Sequence, residues 1–155
     1  MVALAKGLAS GVPVGACEVG NKAKGVVKPG NHGSTFGGNP LAMTAVVATL
    51  DTVKEEKLME NASRVGGQIL SALKEQIGGL AAEVRGMGLM IGVELKEPCG
   101  ELVKQALDAG LVINVTADNV IRLLPPLVMS EAEGRQVVER LVPLVKAFVD
   151  KRVAA

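Results

Sequence analysis

The sequence predicts an α/β protein of α+β type, in which a leading strand and a glycine-rich loop run into a long helix. A second unit of mainly antiparallel strands then follows, with helices on one face. Three observations carry this. Glycine-bounded β-branched segments recur at Val12–Val19, Ala81–Lys96 and Leu111–Pro125. Apolar residues recur at helical spacing between Glu56 and Ile77. Two helix starts carry capping residues, at Asn39-Pro40 and at Ser130 with Glu133.

The elements follow in chain order. "VPVGACEV", Val12 to Val19, reads as a short buried strand, and Lys22 to Lys28 as a charged connector. "HGSTFGGNP" follows, with Gly33, Gly37 and Gly38 freeing the backbone for positive φ and Asn39-Pro40 as N-cap and first helical residue. The helix "NPLAMTAVVATLDTVKEE" is apolar around most of its surface, which predicts burial on several sides. The next helix, about Glu56 to Ile77, sets Leu58, Ala62, Val65, Ile69, Leu70 and Leu73 on one face, and Gly78-Gly79 ends it. "AAEVRGMGLMIGVELK" reads as two strands or one bent strand, broken at Gly86, Gly88 and Gly92. A short helix over about Gly100–Ala109 turns Leu102, Val103, Ala106 and Leu107 inward and stops at Gly110. "LVINV" and "NVIRLLP" are strands joined by a turn at Thr116–Asn119. Ser130 and Glu133 form a capping box for a last helix reaching about Arg152, with a kink or break expected at Pro143.

Composition narrows the function classes. Lys and Arg number 17 against 16 Asp and Glu, so no basic excess marks a nucleic-acid or anionic-membrane partner. With no Trp or Tyr and two Phe, stacking platforms for single strands are essentially absent. No apolar run reaches the length of a membrane span, and the start lacks the charged and apolar regions of a signal peptide. Cys17 and Cys99 lie far apart and form no zinc-type cluster. These features read as a cytoplasmic protein in a reducing compartment. The chain opens at "MVALAKGLASG" without a capping sequence, as a segment entered in mid-fold would.

Four places could carry chemistry. The glycine loop, with the hydroxyls of Ser34 and Thr35 and a helix N-terminus after it, suits a phosphate, although a plain turn explains the same residues. It matches neither a Walker A pattern nor a dinucleotide fingerprint. Lys6, among small residues before a strand expected to be buried, reads either as a desolvated Schiff-base amine or as a surface lysine. Arg122, inside the apolar run "NVIRLLPPL", either faces solvent or grips a carboxylate with two parallel hydrogen bonds, and Arg85 shares that ambiguity. His32 is the sole histidine, which excludes a histidine-dependent triad or a His-rich metal site within one chain and suggests a loop-positioning role.

Together "LAKGLASGVPVGAC", "HGSTFGGNPLA", "EVRGMGLMIGVEL" and "NVIRLLPPLVMSEAE", in this order, resemble the class III pyridoxal-phosphate aminotransferases. The wording "GLVINVTADNVIRLLPPL" is most similar to the branch using N-acetylornithine and succinylornithine. The resemblance implies a fold-type I transferase in which residues 1–55 end the large cofactor domain and supply a linking helix, and residues 56–155 form the small domain. It implies pyridoxal 5'-phosphate, an N2-acetylornithine/2-oxoglutarate exchange in arginine biosynthesis, and a homodimer with a shared active site. Lys6 would bond the cofactor and shuttle a proton; Thr35, supported by Ser34 and the Gly33 and Gly37 amides, would hold the phosphate of the neighbouring subunit's cofactor. Arg122 would clamp the substrate α-carboxylate. Family chains are more than twice this long, so the upstream glycine loop, stacking aromatic residue and ring-nitrogen aspartate lie outside this sequence. The isolated chain is accordingly expected to be inactive. Two alternatives stay open: a non-catalytic small-domain fragment that self-associates or pairs with a separate N-terminal half, and a class III transaminase for ornithine, succinylornithine or 4-aminobutyrate.

Overall fold

The computed structural model describes residues 1–153. Its internal contacts divide the chain into two units, Met1–Lys57 and a second beginning at Leu58.

In the first unit, β1 (Val2–Leu4) pairs antiparallel with β2 (Ala16–Glu18), Ala3 opposite Cys17. β1 was not foreseen, and the expected buried strand Val12–Val19 is shorter and lies exposed. Gly11, at φ +109, and the Pro13 ring delay the extended conformation until Ala16. Between the strands a 3-10 turn, Lys6–Ala9, packs on α1 (Pro40–Glu55) and buries Ala9. α1 starts as expected: the Asn39 Oδ1 accepts from the Ala42 N–H at 2.9 Å, with Pro40 in the first turn. Its expected burial on several sides is not found. Only Ala42 is buried along it, while Leu41, Val47 and Leu50 are exposed, because its apolar residues encircle the axis and the packed turn covers one stripe.

The second unit is built on α2 (Leu58–Ile77), whose residues Leu58, Ala62, Val65, Ile69, Leu73 and Ile77 are buried at the expected spacing; Leu70 lies at the margin. The helix starts after Lys57, which takes a left-handed φ of +52 and separates it from α1. β3 (Glu83–Met87) and β4 (Met90–Glu94) form a hairpin closed by Gly88-Leu89, with Gly88 at φ +53 as a tight two-residue loop requires. α3 (Leu102–Asp108) is shorter than expected and buries Leu102 and Ala106. Val103 and Leu107 were expected inward but are exposed, since two turns of helix present one stripe to the core. Gly110, at φ +74, stops it. β5 (Asn114–Thr116) and β6 (Val120–Leu123) are joined by a turn in which Ala117 and Asp118 take left-handed φ. The sheet is antiparallel throughout, in the order β3-β4-β6-β5.

Val84, Ile91, Val93, Ile121 and Leu123 face the helices and join the core with α2 and α4 (Glu131–Val153). Among the described residues no helix is long and apolar enough to cross a membrane. α4 opens on the expected capping box: Glu133 Oε2 accepts from the Ser130 N–H and hydroxyl at 2.8 and 2.7 Å, and the Glu133 N–H donates to Ser130 Oγ. Helix runs on through Pro143, so the expected break does not occur. Pro143 is exposed, so the carbonyl that its ring leaves without a donor lies on the solvent side of the helix.

Two glycines set the packing distances. A Cβ on Gly66 of α2 would lie 1.9 Å from the Gly88 carbonyl oxygen, and one on Gly134 of α4 would lie 3.1 Å from a Val65 methyl. Gly66→Ala is therefore expected to cost about 3 kcal/mol or more, as backbone meets Cβ with nothing flexible to yield. Urea unfolding measures it, and a loss below about 1 kcal/mol would contradict the close approach.

Ser130→Ala should cost about 1 kcal/mol through the lost cap. The hydrogen bonds from the Ser130 N–H and then its hydroxyl hold Glu133 below the ordinary carboxylate range. A carboxylate favoured in the folded state adds stability above its unfolded pKa of about 4.3 and loses it as pH falls through the lower folded value. Stability of the native chain should thus fall across that acidic window more steeply than that of Ser130→Ala, as read by denaturation midpoints from pH 6 downward.

Candidate active site

The sheet has a second face. Alternation along β6 puts Ile121 and Leu123 into the core and Arg122 between them onto the opposite, exposed side. Arg122 stands in register with Gly92 of β4 and Asn114 of β5. No hydrogen bond or ion pair engages its guanidinium among the described residues. Every other arginine is occupied: Arg64 with Asn61 and Glu131, Arg85 with Glu83 and Glu94, Arg135 with Glu131, Arg140 with the Gly110 carbonyl, and Arg152 over the Phe148 ring.

The two arginines left ambiguous by the sequence are thereby separated. Arg85 Nη1 lies 2.7 Å from Glu94 and 2.6 Å from Glu83 on the same face, and the Glu94 hydrogen bond leads in raising its proton affinity. Arg85 is thus a structural ion pair across β3 and β4. Arg122 keeps five donors in a planar fork, the geometry suited to a carboxylate.

Lys6 opens the 3-10 turn with φ +59, an uncommon left-handed conformation for a residue with a Cβ. The turn is fixed from below, by buried Ala9 and by the Ser10 hydroxyl, 3.1 Å from that of Thr49 on α1. Burial of the lysine was one expectation; its side chain is exposed, because Ala5 and Gly7 have nothing to cover it with and β2 is itself exposed. The backbone is held, and the amine has no ion-pair partner among the described residues.

Ser34 and Thr35 sit side by side in the exposed turn before α1, where the Gly37 N–H donates to the Ser34 carbonyl at 3.1 Å. Neither hydroxyl has a hydrogen-bond partner among the described residues. Of Gly33, Gly37 and Gly38, only Gly38 takes a positive φ, at +69; Gly37 is small for another reason, since a Cβ there would meet Ser34 Cβ at 3.1 Å. The Asn39 amide donates to the Phe36 carbonyl while its oxygen caps α1, so one residue ties loop and helix together. His32 is exposed in the same loop. Lys6, Ser34 and Thr35 belong to the first unit and Arg122 to the second. Cys17 is exposed, and Cys99 is buried, which pushes its thiol pKa up. The alignment of Gly92 and Asn114 with Arg122 was not read from the sequence, because it needs β4 to pair with β6, a segment far along the chain.

Residues 1–145 match the family profile described as aminotransferase class-III. The chain belongs to this family. It is 50% identical over 151 residues to acetylornithine aminotransferase 1 of Bordetella bronchiseptica, covering 96% of this chain and 38% of that one. It is 45% identical over 134 residues to an ornithine aminotransferase of Bacillus anthracis, covering 86% and 34%. Among solved structures, it superposes on the ornithine aminotransferase of Toxoplasma gondii with a TM-score of 0.87 at 35% identity, covering 96% and 37%. The acetylornithine aminotransferase of Elizabethkingia anophelis gives 0.81 at 36%, covering 94% and 40%. The chain thus spans about two fifths of the length of the relatives it matches. The family is pyridoxal-phosphate-dependent, and the antiparallel sheet with helices on one face is shared with the fold-type I transferases.

Arg122→Gln should leave stability within about 0.5 kcal/mol of the native chain, since an exposed, unpartnered guanidinium holds nothing in place. A larger loss in urea unfolding would reveal a structural role.

Proposed function

We propose that this chain is the C-terminal part of an aminotransferase that exchanges an amino group between N2-acetylornithine and 2-oxoglutarate in arginine biosynthesis. Residues 1–55 would end the large domain and residues 56–155 form the small one. The observation that carries the reading is Arg122, a guanidinium presented on an open sheet face while every other arginine is engaged. Relatives named acetylornithine aminotransferase range from 50% to 42% identity and those named ornithine aminotransferase stand at 45%, so the choice of acetylornithine rests on the resemblance of "GLVINVTADNVIRLLPPL".

The residues present fit pyridoxal 5'-phosphate: an exposed amine on a fixed turn, and two adjacent hydroxyls with no partner among the described residues. That cofactor supplies an electrophilic aldehyde and an electron-withdrawing ring. Lys6 would hold it through Nζ, and the same amine would serve as general base and acid toward the substrate Cα. Its left-handed backbone, a strain of about 1–3 kcal/mol, is held by the Ser10–Thr49 contact and Ala9 packing, so the amine starts from one place. Thr35 and Ser34 would donate to the phosphate of the neighbouring subunit's cofactor, were the chain to form the homodimer that the resemblance implies. Arg122 would grip the α-carboxylate at two points and so orient the amino acid that bears it.

A second reading is favoured by the exposure of Phe36 (82%), Leu41 (76%) and Val47 (58%): a non-catalytic fragment that self-associates or pairs with a separate N-terminal half.

In the complete enzyme, borohydride reduction and peptide mapping should place the cofactor on Lys6, and Lys6→Ala should abolish both label and turnover. Arg122→Lys should raise KM for the amino acid about 10- to 100-fold, the loss of one charge-assisted contact. Labelling at another lysine would refute the assignment. The 155-residue chain alone should show no measurable transamination, and turnover by it that Lys6→Ala abolishes would show that it holds a whole site.

A further inference from the structure

We propose that Asn114 and Gly92 complete a carboxylate seat around Arg122: the Asn114 amide donates a further hydrogen bond to the bound carboxylate, and Gly92 keeps the opposite side open. This rests on the reading of Arg122 as a carboxylate ligand and extends it to the residues that shape the seat.

Register supplies the placement. Arg122 pairs with Asn114 on one side and Gly92 on the other, so the three form one row across the exposed face. Side chains directly opposite in an antiparallel pair have Cβ atoms about 4.5–5.5 Å apart, within reach of one carboxylate. Asn114 is exposed, on edge strand β5, and its side chain has no hydrogen bond among the described residues. Of the other asparagines, Asn31, Asn39, Asn61 and Asn119 engage backbone groups, and Asn21, in a short exposed 3-10 turn, has no side-chain hydrogen bond among the described residues. Asparagine is disfavoured in strands, and at the head of β5 Asn114 caps no helix.

Gly92 has no conformational reason to be glycine, because its φ is not positive. A Cβ there would meet Val120 at 3.4 Å and Arg85 at 4.0 Å, ordinary contacts, so a methyl fits. What glycine provides is an empty lane between Arg85 and Arg122, such as marks a strand position that a ligand approaches closely. The acidic residues of this face, Glu83 and Glu94, are both held by Arg85. The remaining positions near the row, Val120, Leu124, Met90 and Thr116, carry no charge. A carboxylate arriving at Arg122 therefore meets no free carboxylate on the described face.

The test uses the 15N-labelled 155-residue chain titrated with 2-oxoglutarate at constant ionic strength. The Arg122 Nε–H and Asn114 side-chain amide signals are identified by their disappearance in Arg122→Gln and Asn114→Leu. Both signals should move along one saturation curve, and butylamine, which lacks a carboxylate, should move neither. Asn114→Asp should bind about five-fold more weakly, as expected of one added like charge some 4 Å away in water. Asn114→Leu, of similar volume but without donors, should also weaken binding, and both variants should keep the dispersed amide spectrum of a folded chain. Saturable movement at Arg122 with a still Asn114 signal, and unchanged affinity in Asn114→Asp, would overturn the seat while leaving the Arg122 reading standing. No movement at Arg122 at concentrations far above the millimolar range would overturn both.

Discussion

The second unit depends on a sheet that buries one face only. Val84, Ile91, Val93, Ile121 and Leu123 turn toward the helices, and the two-residue period of a strand then obliges their neighbours to point away. Arg122 is where it is because Ile121 and Leu123 are where they are. A one-residue slip of β6 would drive the guanidinium into the core and two large aliphatic side chains out of it, so the apolar pattern enforces the register on which the candidate site depends. Desolvating an unpaired guanidinium would oppose the slip still further.

That sheet is held at the right distance by absent side chains. Gly66 lets the tip of the β3-β4 hairpin lie on α2 with backbone touching backbone, and Gly134 lets α4 close on Val65 and Ile69. The core is otherwise aliphatic, and no charged or polar side chain is buried among the described residues. Polar anchoring is done at the margins, by amides that reach backbone carbonyls: Asn61 to those of Leu127 and Met129, and Asn119 to that of Leu95. These contacts fix the two connections that flank β6, the turn before it and the segment leading to α4, and so steady the strand that carries Arg122.

Charge distribution on the open face separates structure from chemistry. Arg85 and Arg122 lie two strands apart in adjoining register positions, yet one is enclosed by two carboxylates and the other meets a glycine and a neutral amide. A charge whose partners are built in stabilises the pairing of β3 with β4; a charge without them is available to a ligand. In the first unit the same division recurs. Ser10, Thr49 and Asn39 are used to hold the backbone, while the Lys6 amine and the Ser34 and Thr35 hydroxyls have no partner among the described residues.

Local chemistry was legible in the sequence because neighbours along the chain decide it. The Asn39 cap, the Ser130–Glu133 box, the apolar stripe of α2, the stop at Gly110 and the turn between β5 and β6 all follow from residues within one or two turns of each other. The motifs around Lys6, Thr35 and Arg122 also sufficed for the family, to which the chain belongs. Tertiary structure decided the rest. Whether α1 is buried depends on what packs against it, and its uniformly apolar surface carries no direction. β1 has three residues and is stabilised only by pairing with β2, at a separation no periodicity reveals. The difference between Arg85 and Arg122 depends on which carboxylates the β3-β4 hairpin brings to Arg85, and the row Gly92–Arg122–Asn114 on β4 pairing with β6 far along the chain, a consequence of burying Ile91, Val93 and Ile121 together.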